Sequence, residues 1–178
     1  ADTIYTAAAD FTIAKADPVI GTVSVSTPAT IFTSTDPEAV TLSWTNTAIT
    51  GTLKLADGTQ FTSGTKSYTW VFSPTDTANY NSVQGTIRLS VTANALQSIA
   101  VTTQPTKTAY QYGEAFDPAG MVVTATYADG SGKTVDNSKL TVRYAAGSGF
   151  NAGDTSVTLS YTEDGVTKTC AVTGLTVS

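Results

Sequence analysis

Thr86-Ile87-Arg88-Leu89-Ser90-Val91 alternates polar and apolar residues at every step. A period of two marks a half-buried strand, because successive side chains point to opposite faces of a sheet. Ile87, Leu89 and Val91 then share the inward face, while Thr86, Arg88 and Ser90 meet solvent. The same reading applies to Tyr68-Thr69-Trp70-Val71-Phe72, with Tyr68, Trp70 and Phe72 inward, and to Val40-Thr41-Leu42-Ser43-Trp44, with Val40, Leu42 and Trp44 inward. Trp44 and Trp70 are therefore expected to be mostly buried. Asp57-Gly58 separates Leu53-Lys54-Leu55 from Gln60-Phe61-Thr62. Asp-Gly between short β segments predicts a tight hairpin, since both central positions favour φ > 0.

The second half repeats this grammar. Ile99 to Val101, Met121 to Tyr127, Leu140 to Tyr144, Val157 to Tyr161 and Val166 to Val177 are the strand candidates. Asp129-Gly130, Gly147 to Gly153 and Asp164-Gly165 mark turns between them. Val166, Cys170 and Val172 share one phase of the last candidate, whereas Leu175 and Val177 share the other. That switch predicts a bulge near Thr173-Gly174. Breakers recur about every eight to twelve residues, the spacing of a sandwich of short strands. No segment of eleven or more residues carries the i, i+3, i+4, i+7 pattern of an amphipathic helix.

Composition agrees with an all-β chain. Charged residues are 13% of the 178, about half the usual share. Threonine fills the gap at roughly a fifth of the chain, and β-branched side chains suit a pleated surface. The absence of His removes imidazole acid–base chemistry, Ser-His-Asp triads and His-bearing zinc sites. A single Cys removes an intrachain disulfide and any cysteine-cluster metal site. A net charge of -5 argues against an electrostatic nucleic-acid binder. No apolar run is long enough for direct membrane insertion. The N-terminus lacks both a signal-peptide pattern and an initiator Met, so the chain reads as a fragment of a longer protein. The Thr/Ser-rich, Cys-poor composition suits a secreted bacterial surface protein.

Two domains fit this length. The boundary falls near Thr92-Ala93-Asn94-Ala95-Leu96, where only a few residues without Gly or Pro separate two strands. So short a junction predicts modules set end to end with limited freedom. The expected division is residues 17–93 and residues 97–178. Residues 1–16, with Ile4-Tyr5 and Phe11-Thr12-Ile13, read as an extended arm or the remnant of an upstream module.

Residues 97–178 resemble the group 3 bacterial Ig-like domain. The stretches that carry the resemblance are IAVTTQPTKTAYQYGEAFDPAGMVVTATYADG (residues 99–130) and VTLSYTEDGVTKTCAVTGLTV (residues 157–177). Residues 14–92 resemble an Ig-like repeat of bacterial surface proteins, through AKADPVI (residues 14–20) and SYTWVFSPTDTANYNSVQGTIRLSVTA (residues 67–93). The resemblances imply two tandem Ig-like β-sandwiches from an exported multidomain protein, with no shared catalytic residues to carry over. Within these stretches Gly113 and Gly120 suit turns, and Phe116 is expected to plug one end of the sandwich. Tyr80 is expected to fold back onto the core, like the tyrosine that bonds upstream backbone in Ig-like folds.

Chemistry-bearing groups are few. Asp36 and Glu38, Glu114 and Asp117, and Glu163 and Asp164 are paired carboxylates in short turns. They read as solvated turn residues, not as the facing acids of a glycosidase or a calcium loop. Cys170 reads as a small strand hydrophobe with no base to activate it. Lys54, Lys107 and Lys168 are the candidates for an isopeptide crosslink, though none lies on a clearly inward face. Aromatic rings that could stack on a sugar are the more serious candidates. Tyr110 and Tyr112 share one face of an edge-like segment and are expected to be partly exposed. Phe150 lies in the Gly-rich loop AAGSGFNAGD, where a ring either tucks into the sandwich end or marks a contact surface. Tyr110, Tyr112 and Phe150 are thus the ligand-contact candidates.

The expected function is a non-catalytic spacer or adhesion module on the bacterial cell surface, without catalytic residues, metal or cofactor. The alternative is a carbohydrate-binding accessory module of a glycan-degrading protein. Expected partners are neighbouring modules of the parent chain and a cell-surface glycan or host protein.

Overall fold

The structure, a computed structural model, describes residues 13–46 and 48–178. Most of the 1–16 arm lies outside the described residues. Its end does not: Ala16 forms an isolated parallel bridge to Tyr80. The described residues are all-β, with short 3-10 turns and no α-helix. The chain divides between Thr92 and Ala93 into two compact units.

The first unit contains β1 (Val23–Thr27), β2 (Ile31–Phe32), β3 (Thr41–Trp44), β4 (Gly51–Leu55), β5 (Gly64–Pro74) and β6 (Val83–Thr92). β1 and β3 pair antiparallel, and a second sheet runs β2-β6-β5-β4. The alternation that predicts β6 is real: Leu89 and Val91 are buried, and Arg88 and Ser90 are exposed. Ile20, Val40, Leu42, Leu53, Phe72 and Val91 belong to one buried cluster. Each such side chain contributes about 1.5–3 kcal/mol through apolar burial.

Trp44 and Trp70 are mostly buried, as expected, though neither is fully enclosed. Both are in the inward phase and pack against the core. Trp70 sits opposite Gly85 across the β5–β6 ladder. Its indole lies where a side chain at Gly85 would be, with Cε2 2.7 Å from an ideal Cβ position. The ring therefore lies over a bare strand at the margin of the core. Trp44 meets Phe72 edge to face at 5.5 Å, so its buried part is an aromatic contact.

The Asp57-Gly58 hairpin is also corrected. The turn exists, with Gly58 at φ 76° and Thr59 N–H donating to Ala56 O. However, Leu53 and Leu55 pair with Phe72 and Trp70, not with residues 60–62. Phe61 is buried instead, edge-on to Tyr68 at 5.2 Å. Burying that ring draws the segment out of the ladder. Tyr68 Oη also bonds the backbone of Thr62, accepting from N–H at 3.2 Å and donating to O at 3.3 Å. Tyr68 thus fastens upstream backbone, the role expected of Tyr80. Tyr80 itself is half-buried.

The second unit contains β7 (Leu96–Thr103), β8 (Ala109–Tyr110), β9 (Val122–Tyr127), β10 (Gly132–Val135), β11 (Thr141–Arg143), β12 (Ser156–Glu163), β13 (Val166–Thr173) and β14 (Thr176–Val177). One sheet runs β10-β9-β7, another β11-β12-β13, and β14 pairs parallel with β8. Val123 and Ala125 from the first sheet and Leu159 and Val172 from the second share one core, each with no exposure. The expected bulge near Thr173-Gly174 is a break instead. Gly174 adopts φ 78°, a conformation open to glycine at little cost. The chain leaves β12 there and joins β8, with Leu175 buried at the crossing.

One local device occurs twice. Asp36 and Asp136 each cap a 3-10 turn by accepting from the N–H two residues on, Glu38 at 3.0 Å and Ser138 at 2.9 Å. Val40-Thr41-Leu42 and Leu140-Thr141-Val142 follow as strand entries. Short polar caps of this kind satisfy backbone donors that have no ladder partner.

Candidate functional site: the aromatic end of the second unit

The three ligand-contact candidates all come to one end of the second unit, but in different roles. Tyr110 and Phe150 are 2% and 1% exposed, whereas Tyr112 is 73% exposed. Partial exposure of Tyr110 is therefore corrected. Period two would place Tyr110 and Tyr112 on the same face only if the strand continued. It stops at Tyr110, and Gly113 at φ 79° turns the chain. Neither Tyr110 nor Phe150 has a ring face open for stacking.

The buried rings form a cluster. Tyr110 and Phe150 centroids lie 4.4 Å apart, and Tyr144 meets Phe150 edge-on at 5.1 Å. Phe116 closes the group, 6.2 Å from Tyr110, and is buried as a plug should be. Such pairs add about 0.5–1.5 kcal/mol each beyond burial of their area. The hydroxyls are engaged too. Tyr110 Oη donates to Lys107 O at 3.0 Å, and Phe116 N–H donates to Tyr144 Oη at 2.7 Å.

Two loops hold the cluster by their backbones. Gly113 N–H donates to Phe150 O at 2.7 Å, and Phe150 N–H donates to Glu114 O at 2.9 Å. Gly149 makes this approach possible, because a Cβ there would lie 2.6 Å from Gly113 O. Asp154 then shapes the Phe150 loop by accepting from Asn151 N–H at 2.8 Å.

Charge at this end is paired. Lys107 Nζ contacts Glu114 Oε1 and lies 5.0 Å from the Tyr110 ring centre. Glu114 Oε2 accepts from Gln111 N–H at 3.0 Å. The Lys107 contact first, and the Gln111 bond second, hold the Glu114 carboxyl below its usual range. Glu114 in turn raises Lys107. Both groups are therefore held charged, the opposite of what amine attack on a carboxyl requires. Both are also partly exposed, at 38% and 35%. Lys54, a second crosslink candidate, pairs with exposed Asp57 at 2.7 Å. Lys168 is half-exposed on β13.

Asp117 shapes a turn as expected, whereas Glu163 is not a solvated turn residue but a half-buried strand residue. Asp117 accepts from Ala119 N–H at 2.9 Å. Glu163 accepts from Tyr127 Oη at 2.6 Å and from Tyr161 Oη at 3.1 Å. Among the described residues no group of three or more His, Cys, Asp or Glu is placed to hold a metal ion. Cys170 is partly buried opposite Leu159, and burial pushes its thiol up. A raised thiol is a poor nucleophile at neutral pH.

Sequence reading missed the cooperation of Tyr144 with Phe116 and the need for Gly149. Tyr144 ends a strand in phase with Val142, which is a signal for burial. Nothing in the sequence marks the partner of its hydroxyl, which comes from another loop.

Residues 103–174 match the family model of the bacterial Ig-like domain (group 3), wholly within the second unit. No curated protein matches the chain.

Proposed function

We propose that the chain is a non-catalytic structural or adhesive part of an exported bacterial surface protein, with Ig-like modules at residues 17–93 and 97–178. The observation that carries this reading is the use of its polar groups. Glu114, Asp117 and Asp136 are occupied by turn backbone or an ion pair, which leaves no pair of acids facing across a cleft among them. General acid–base catalysis needs a positioned group with a tuned pKa. The family match supports the same reading, since group 3 bacterial Ig-like domains are generally non-catalytic and occur in extracellular bacterial proteins.

A second reading rests on Tyr112 alone. Its exposed ring neighbours exposed Gln111 and half-buried Glu114, which would suit a weak sugar contact in an accessory module. One ring offers little stacking area, so this reading ranks second.

The test of the non-catalytic reading is a screen of the purified chain against polysaccharide and peptide substrates, repeated with Glu114→Gln and Asp117→Asn. The expected result is no turnover. Turnover that disappears in either variant overturns the proposal.

A further inference from the structure

We propose that the first unit binds an extended peptide in the groove between β1 and β6, with a carboxylate of that peptide opposite Arg88. The inference deepens the adhesive reading of the chain and rests on it. The groove has a volume of about 460 Å³ and is lined by Val23 to Ser26 of β1 and by Ile87 to Ser90 of β6. Four consecutive residues thus form each wall. Successive side chains of a strand point to opposite faces, so a wall that shows four in a row is met edge-on. The groove therefore runs between two backbone edges.

Neither edge carries a strand there. Among the described residues β1 pairs only with β3. β6 pairs with β5 on one side, and on the other only Val91 and Thr92 meet β2. A free edge presents N–H and C=O groups that an extended chain can take up as an added strand. Four residues span roughly 13 Å at about 3.3 Å each, so the groove suits a segment of about four to six residues.

The side chains of the walls set the pattern of that segment. Val23, Val25 and Ile87 pack on the core yet are only partly buried. An added strand would cover them with apolar side chains of its own. Ser24, Ser26, Arg88 and Ser90 occupy the outward phase and are exposed. Arg88 is the one charged residue of the lining. No ion pair among the described residues uses it, and its partner across the β5–β6 ladder is Ser67. A charge pointing inward would protect the edge from pairing. Arg88 points outward and leaves the apolar floor open. Opposite charges directly across a ladder attract, so the segment carries Glu or Asp opposite Arg88, between apolar residues opposite Ile87 and Leu89. A second copy of the chain is a poorer occupant. Each copy carries a net charge of -5, and neither β1 nor β6 would bring an acid to Arg88.

The test uses the whole chain and two fluorescein-labelled peptides, acetyl-Thr-Val-Glu-Val-Thr-Val and the same sequence with Lys in place of Glu. Fluorescence polarisation at low salt should show wild type preferring the Glu peptide about fivefold. Arg88→Glu should reverse that preference. Ala29→Trp fills the groove from an exposed lining position and should abolish binding of both peptides. Thermal melts check that both variants are folded. In an NMR titration the amide signals of residues 23–26 and 87–90 should move first. No binding of either peptide up to about 1 mM would overturn the proposal. So would a Glu preference that survives Arg88→Glu, or full binding by folded Ala29→Trp. Concentration-dependent shifts of the same amides without peptide would put a second copy in the groove and overturn it as well. None of these results bears on turnover, so failure here is distinct from failure of the non-catalytic reading.

Discussion

Tyr127 Oη lies 2.6 Å from Glu163 Oε2, and that bond joins β9 in one sheet of the second unit to β12 in the other. Tyr161 donates to the second oxygen of the same carboxylate at 3.1 Å. The bond to Glu163, and then burial, push the Tyr127 phenol up to about 12. The donated Tyr127 bond in turn lowers Glu163. For Tyr127 the folded value lies above the unfolded one, so its stabilisation is complete below the ordinary tyrosine range and is lost as pH rises toward about 12. For Glu163 the folded value is lowered, so its contribution is present above the ordinary carboxylate range and lost as pH falls through the lowered value. An ultraviolet titration should show Tyr127 ionising near pH 12, with Tyr110 and Tyr161 also above the ordinary tyrosine range because they are buried. In Glu163→Gln the Tyr127 phenol should ionise earlier. An unchanged late phase would show that burial alone sets it.

Trp70 over Gly85 gives a stability prediction for the first unit. Gly85→Ala would ordinarily favour a strand, because glycine weakens one. Here the added methyl meets the indole, so the variant should be less stable by about 1–3 kcal/mol. Trp70→Ala should cost about 3 kcal/mol, the low end for a large aromatic, because the ring is only partly buried. Chemical denaturation followed by tryptophan fluorescence checks both, with Trp44 as the reporter left in Trp70→Ala. A Gly85→Ala protein more stable than wild type would refute the packing argument.

Gly149→Ala tests the backbone contact that seats Phe150. The methyl would lie 2.6 Å from Gly113 O and 2.9 Å from Gly113 C, atoms that cannot move as a flexible side chain does. The second unit should lose about 1–3 kcal/mol, with Phe150 ring signals shifted in NMR spectra. Gly147→Ala, where a Cβ meets nothing within 4 Å but φ is 73°, should cost less.

Residues 93–178 should fold alone. Their core draws on β7, β9, β12 and β13 within that span. Asn94 also belongs to it, accepting from Asp129 N–H at 3.0 Å. A fragment of these residues should give a dispersed NMR spectrum and a cooperative melt. An unfolded spectrum would move the domain boundary.

Strands with uninterrupted period two were legible from residues alone. β6 and β12 show it, because each keeps one face on a core and one in water. The two-residue strands β2 and β8 were not legible, since two residues carry no period and parallel partners are remote in sequence. Tyr110 and Tyr112 show how a short strand misleads. Their spacing implies one shared face, but Gly113 ends that logic one residue later. Trp70 shows a second limit. Phase told that it points inward, and the bare Gly85 across the ladder explains where its indole lies. At the candidate site the residues were found, but their roles depended on which loops met. Phe150 is packed because Gly149 lets its loop close on Gly113.

The central claim is that the aromatic end of the second unit is packed core and not a binding platform. The most direct test is a glycan array probed with the wild-type chain and with Tyr112→Ala side by side. The account predicts that neither protein is retained above an unrelated control. A glycan that holds the wild type and releases Tyr112→Ala would contradict it.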